Sequence, residues 1–466
     1  MSTENVAMQE FPKWKPKTAK VEMGDQDYDP HSHRNVAHPT TNTDTLIHLL
    51  KGSLGTGILA MPEAFKNAGM VNGFIFTILI GILCTYELHM LVQAQYILCK
   101  RMRVPLLTYP ESMKAALLSG PKFLHPFANL SPYLVDAFLI LYQLGICCVY
   151  VMFVAANLKE LCDVYRSKPM AIELYTLILL APFVLILSVP NLKWLSPFSL
   201  VSNLMTFACF GIVLYYIFSD IQPIEDRPLV GTLYKFPLFF GTTLFALEAV
   251  GVVIALENNM KTPKSFGGSF GVLNVAMFFI VLSYVGIGLF GYWRYGNGTK
   301  SSITLNLPPD HILSKVVQGL YSLAIFISYG LQGFVPINIM WNTYLAHYFI
   351  NFKRPWVCEY LLRVVTVLVT FVLALFVPML GHFISLFGAF CLSALGIAFP
   401  AIMEICVLWP DRLGYRRWVL YKDLVLILIG ILGLLSGSYS CISEIVRELS
   451  LPSSSNHSVN VEIQHL

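Results

Sequence analysis

Apolar stretches, each close to the roughly 20 residues a helix needs to cross a bilayer, follow one another at 44–68, 73–97, 133–158, 172–190, 196–218, 236–258, 270–293, 313–347, 357–380, 383–408 and 423–445. Polar residues gather in the short connections between them. This pattern predicts an all-α membrane protein with about eleven transmembrane helices in one domain, 44–445, between two polar tails, 1–43 and 446–466. The eighth run is long enough to tilt or to project beyond the bilayer. The turn between the ninth and tenth is tight, near Gly381 and His382. In the connection 98–132, Thr108 and Glu111 have capping-box spacing, Pro110 suits a first helical turn and Gly120 suits a stop, which predicts a short amphipathic helix.

Two runs are interrupted. The first reads His48-Leu-Leu-Lys-Gly-Ser-Leu-Gly-Thr-Gly-Ile-Leu-Ala-Met-Pro62, with three glycines and a proline at mid-span. Backbone facing lipid must bond to itself, so a helix break at that depth survives only where it lines a protein-walled cavity. Five spans later, the sixth run carries Glu248 between Gly241 and Gly251. A carboxylate at mid-bilayer costs several kcal/mol unless it faces a cavity or a partner. Interrupted helices at corresponding places in two five-span halves predict a 5+5 inverted-repeat transporter fold with broken helices 1 and 6, and an eleventh helix added.

The helix ends define a candidate site. A half-helix starting near Gly57 points free N–H groups and a positive dipole end at the cavity, which suits a carboxylate held by Ser53, Leu54, Gly55, Thr56 and Gly57. Carbonyls freed around Ala246, Leu247, Glu248 and Ala249 suit an ammonium group, and the pair of sites suits a zwitterionic amino acid. Lys51 lies deep enough to satisfy carbonyls ending the first half-helix, and Pro62 shapes the second half. His48, three residues before Lys51, and Glu248 are the candidate proton carriers. Tyr142, Gln143 and Tyr150 on the third span are within reach of a substrate, with aromatic packing the alternative. Ser322 and Ser328 offer hydroxyls to a sodium ion or else bond their own backbone.

Composition agrees: 56% of residues are hydrophobic, 12% are charged and the mean hydropathy is +0.64, where a soluble domain carries about 25% charged residues. A net charge of +4 is too small to imply a nucleic-acid partner. The ten cysteines lack metal-ligand spacing and lie mostly in apolar runs, and no nucleophile–base set marks an enzyme. Metal and cofactor are therefore expected to be absent, with a proton as coupling ion and sodium as the alternative. Residues 1–43 hold no apolar core of a leader and read as a disordered cytosolic tail. Basic clusters such as Lys100, Arg101, Arg103 and Arg412, Arg416, Arg417 put the N-terminus inside and the flexible C-terminal tail on the non-cytosolic side. Sequons at Asn297 and Asn456 fit that orientation as glycosylation sites. Gly286–Gly291 matches a dinucleotide motif in letters, but it lies inside an apolar span and reads as helix packing.

The run Leu46–Pro62 resembles the proton-coupled amino acid transporters of the amino acid/auxin permease superfamily, insect members most, as do Ala68-Gly69, Tyr109, Gly120-Pro121, Phe240–Glu248 and Glu257–Lys261. The resemblance implies symport of protons with small neutral amino acids of the glycine, alanine and proline class. It also implies a multi-pass protein of the plasma or endosomal–lysosomal membrane, with growth-signalling partners through the N-terminal tail. Proton coupling in the family falls on His48, and its sixth-span glutamate on Glu248. Family members can carry an external disulfide; Cys162 stands near its first position, but 294–313 contains no cysteine. A sodium-coupled carrier or exchanger, and an amino-acid-sensing receptor with little transport, are the alternatives.

Overall fold

The computed structural model describes residues 28–34, 36, 39–53, 55–189, 192–219, 227–247, 250–349, 352–377 and 379–450, leaving aside the side chains of 192–197 and 252. In place of the first predicted run stand two helices, α1 (Asn42–Ser53) and α2 (Thr56–Ala68). Then come α3 (Met70–Met102), α4 (Tyr109–Ser119), α5 (Ser131–Asp163), α6 (Ile172–Leu187) and α7 (Leu192–Ser219). The sixth run is again two helices, α8 (Phe236–Leu247) and α9 (Val250–Asn259), followed by α10 (Val272–Tyr295), α11 (Ile312–Asn338) and α12 (Pro355–Phe376). A π-helical stretch, Gly388–Ala398, joins α13 (Leu380–Phe387) to α14 (Phe399–Leu408), and α15 (Trp418–Ser450) closes the chain. Among the described residues, eight helices are long and apolar enough to cross a membrane, and two shorter apolar helices are Ile172–Leu187 and Leu233–Leu247.

Helix α5 is the central post. Its residues from Gly145 to Ala155 are buried on every side, as expected of a helix that is apolar all round. A Cβ at Gly145 would lie 2.3 Å from the Phe387 ring, so the glycine lets α13 approach. Phe183 of α6 packs at 5.0 Å from Phe326, 4.6 Å from Tyr329 and 5.4 Å from Phe371, knitting α6, α11 and α12; each such pair adds about 0.5–1.5 kcal/mol beyond area burial. Arg363 of α12 is buried because its charge has work to do: it donates to the carbonyls of Leu187 (2.8 Å) and Val189 (3.2 Å) at the end of α6 and to Glu359 (2.7 Å). On α15, Gly430, Gly433 and Gly437 meet Ser393, Phe240 and Ala389, so this helix seats against the π-helical stretch and α8. Helix α4 begins with the capping box of Thr108 and Glu111, and its Tyr109 hydroxyl donates to the Leu395 carbonyl (2.6 Å).

Several details depart from the pattern-based expectations. The ninth segment ends at Phe376 and α13 begins at Leu380, so Gly381 and His382 lie in the first turn of α13. Helix α15 runs to Ser450, five residues into the span assigned to the C-terminal tail; Asn456 and the rest of that tail lie outside the described residues. Part of the polar N-terminal tail forms a strap. Asp29 caps a 3₁₀ turn, Pro30–His33, and Lys264 at 2.9 Å holds the Asp29 carboxyl below its ordinary range. Arg34 donates to the buried Glu257 carboxylate (2.9 Å) and to the Glu257 carbonyl (3.2 Å), and His31 lies 3.3 Å from the same carboxylate. Thr40 then pairs through its backbone with Asn259 and Lys261, at 2.9 Å each. The strap thus ties the entry to α1 onto the end of α9. All ten cysteines are free, so no external disulfide forms.

Candidate functional site

The gap between α1 and α2 is made by Gly55, whose backbone (φ −93°, ψ −153°) is extended where a helix would require otherwise. As the residue preceding α2 it has no side chain to bond the orphan N–H groups of the first turn. Those donors are left for whatever occupies the space in front of them. The first turn of α2 crosses the last turn of α8 at very close range: a Cβ on Gly57 would lie 2.8 Å from the Ala246 Cα. Only glycine permits this approach, which brings the start of α2 and the end of α8 to the same place.

Between the two interruptions lies a small, partly open cavity of about 80 Å³. Gly52, Ser53, Gly55, Thr56 and Gly57 line it from the first break, and Phe245, Ala246, Val250 and Gly251 from the second. Helix α5 contributes Tyr142, Gln143, Ile146 and Tyr150, α10 contributes Tyr284 and α11 contributes Gln332. The described lining carries no charged side chain, so its electrostatics come from helix ends and neutral hydrogen-bonding groups. Among the described residues no three His, Cys, Asp or Glu side chains form a metal-holding group.

Of the candidate residues, Ser53, Gly55, Thr56, Gly57 and Ala246 are brought together on this lining, and Leu247 ends α8 beside it. Leu54, Glu248 and Ala249 lie outside the described residues. The carbonyl of Ser53, at the end of α1, accepts a hydrogen bond from the Tyr284 hydroxyl; Lys51 is half-buried and stands off the cavity wall. His48 is likewise not on the wall; it is exposed on α1. Pro62 is buried in α2 and seats against Gly291 of α10; lacking an N–H, it leaves the Ile58 carbonyl without its usual helical partner. Ser322 and Ser328 each donate to a carbonyl one turn back, Gln318 (2.6 Å) and Ala324 (2.9 Å). Asn297 is exposed in a 3₁₀ turn after α10.

Tyr284 and Gln332 were not foreseen. Their one signal is a polar atom inside a long apolar run, which many structurally satisfied residues share. Here Tyr284 bonds Ser53 and Gln332 bonds the Tyr150 hydroxyl, so both brace the cavity wall.

The two ends of the cavity differ. Ten of the 13 residues of α2 and nine of the 12 of α8 are buried, against two of the 12 in α1. Glu63 of α2 packs against Gly381 of α13, where a Cβ would lie 2.2 Å from its carboxylate. Gly251, Ala255 and Asn259 of α9 are exposed. The cavity is therefore sealed on the α2 and α8 side and more thinly covered on the side of α1, α9 and the strap.

Comparison with known proteins agrees with this geometry. A family described as "transmembrane amino acid transporter protein" matches residues 38–443. The chain is 41% identical over 428 residues to the "proton-coupled amino acid transporter-like protein pathetic" of Drosophila melanogaster, covering 92% of this chain and 90% of that one. It is 25% identical over 422 residues to the "probable amino acid transporter skat-1" of Caenorhabditis elegans, covering 88% and 92%. Among solved structures, the inward-facing conformation of Mhp1 superposes with a TM-score of 0.54 at 13% identity, covering 90% of this chain and 92% of that one. That likeness shows the fold: inverted five-helix repeats, each opened by a broken helix.

Proposed function

The chain belongs to the transmembrane amino acid transporter family, and on that premise we propose that it is a secondary active symporter carrying small neutral amino acids, the glycine, alanine and proline class, together with protons. The observation that supports this most is the uncapped first turn of α2 facing a polar cavity whose described lining carries no charge. The substrate carboxylate takes the N–H groups around Gly55–Gly57, where the helix dipole favours negative charge. Its ammonium takes carbonyls at the end of α8, around Ala246 and Leu247. The described lining residues offer no counter-charge to a cationic or anionic side chain, which favours neutral substrates.

His48 and Glu248 are the proposed proton carriers. His48 stands on the half-helix that ends at the site, away from the cavity wall, so it would act on the position of α1 rather than on the substrate. Protonation changes the relative stability of the two access states, and alternation follows by rocking of one repeat against the other. In the proposed orientation the N-terminus and the strap are cytosolic and Asn297 is extracellular or luminal, in a plasma or endosomal–lysosomal membrane; growth-signalling partners would meet the N-terminal tail.

Uptake of labelled alanine into proteoliposomes, with pH and sodium gradients imposed separately, tests the reading. Accumulation driven by the pH gradient alone is expected, and it should fail in His48→Ala. Accumulation that requires sodium, or tight binding without turnover, would replace symport by the carrier or receptor alternative.

A further inference from the structure

Most polar side chains around the cavity are already engaged. Tyr284 bonds the Ser53 carbonyl, Ser53 donates to Leu49 and Gln332 holds Tyr150. Gln143 differs. It is 8% exposed, it lines the cavity, and its buried Oε1 has no hydrogen-bond partner among the described residues. A buried amide oxygen left unpaired is costly, and native proteins rarely tolerate one without a ligand or water to receive. Gly251 of α9 faces it without a side chain: a Cβ there would come into van der Waals contact, 4.0 Å, with the Gln143 Nε2. An open amide and a glycine together bound a pocket at this end of the cavity.

That pocket is far from the carboxylate end. Tyr150 marks the first break, since a Cβ at Gly55 would lie 3.9 Å from its hydroxyl. Gln143 is seven residues earlier on α5, about 10 Å along the helix at 1.5 Å per residue. The carboxylate and ammonium of an amino acid share one carbon and span much less than this. What reaches Gln143 is the substrate's side chain. An amide carries both a donor and an acceptor, so its best match is another uncharged group that offers both.

Building on the amino acid site proposed above, we propose that Gln143 and Gly251 form a side-chain pocket that extends the substrate class to amino acids with a carboxamide tip, glutamine foremost. Alanine and glycine leave this pocket to water; glutamine fills it and pairs with the Gln143 amide. Gly251 keeps the passage open, and Gln143 sets preference rather than basic competence.

The test compares labelled glutamine with labelled alanine in proteoliposomes containing the full-length protein, and reads the ratio of their kcat/KM values. Wild-type protein is expected to carry both. In Gln143→Leu the glutamine-to-alanine ratio should fall about tenfold or more, the weight of a hydrogen bond to a buried amide. Gln143→Asn, which keeps the group one carbon shorter, should fall less. Removing an unpaired buried acceptor should also leave the melting temperature of Gln143→Leu no lower than that of wild type. If Gln143→Leu transports nothing, the ratio in Gln143→Asn decides, and an unchanged ratio overturns the pocket. Wild-type protein that carries alanine but not glutamine, or an unchanged ratio in Gln143→Leu, overturns this inference alone. Protein that carries neither amino acid overturns the transport reading beneath it.

Discussion

Adding one methyl group at Gly57 probes the closest crossing in the molecule. Its Cβ would lie 2.8 Å from the Ala246 Cα and 3.2 Å from the Ala246 Cβ. Carbon atoms prefer about 3.5–4.0 Å, so the start of α2 must withdraw by about 0.7 Å, the difference between 3.5 and 2.8 Å. Neither obstacle is the end of a flexible chain; both belong to the last turn of α8. Overpacking of this kind costs about 1–3 kcal/mol. The same displacement carries the N–H groups of the first turn away from a bound carboxylate. Charge-assisted bonds of about 2.8 Å would lengthen toward 3.5 Å, where they cease to count. Gly57→Ala is therefore expected to lower the melting temperature of the purified protein and to weaken alanine binding at least about tenfold. Gly55→Ala is the control. Its Cβ meets nothing nearer than the Tyr150 hydroxyl at 3.9 Å, and its φ of −93° suits any L-residue. It should melt like wild type. Ligand-induced thermal shift and equilibrium binding of labelled alanine measure both quantities. A Gly57→Ala protein that melts as Gly55→Ala does, or that binds alanine as wild type does, would refute the reasoning.

Two further predictions concern the bracing of α1. Tyr284→Phe removes the donor to the Ser53 carbonyl; water from the cavity replaces it in part, so the loss is about 0.5–1.5 kcal/mol. Hydrogen exchange at the C-terminal turn of α1 should speed up with α3 unchanged, and identical exchange would exclude a role for this bond. Arg34→Ala strands the Glu257 carboxylate, whose side chain is 6% exposed, with His31 as its remaining close partner. Breaking a buried pair from one side costs about 3–5 kcal/mol, which thermal inactivation should report. The double variant Arg34→Met with Glu257→Met should recover most of that loss, and additivity of the two single losses would show that the strap pair is not coupled.

The breaks were legible because glycine and proline inside an apolar run have few physical uses, and Gly55, Gly57 and Pro62 each have one in the structure. The helix order was legible for the same reason that membranes constrain sequence: helices of bilayer length must be apolar. Side-chain orientation was not. Tyr284 and Gln332 stand in long apolar helices where any face looks alike in sequence, and only packing turns them toward the cavity. The strap was hidden by composition: Asp29, His31 and Arg34 look like a solvated polar segment until Glu257 and Lys264 are brought to them from more than 200 residues away. The π-helical stretch Gly388–Ala398 leaves no periodic trace, because all its residues but one are buried.

The central claim is that an amino acid sits between the two interrupted helices and reaches them from the side of α1 and α9. A cysteine introduced at position 53, on a background that keeps the eight buried cysteines and lacks the half-buried Cys162 and Cys358, tests it directly. A membrane-impermeant thiol reagent applied to the side bearing the strap should label Ser53→Cys, and saturating alanine should slow that labelling at least about tenfold, since occupancy excludes the reagent. Labelling at the same rate with and without alanine, or labelling from the opposite side alone, would contradict the account.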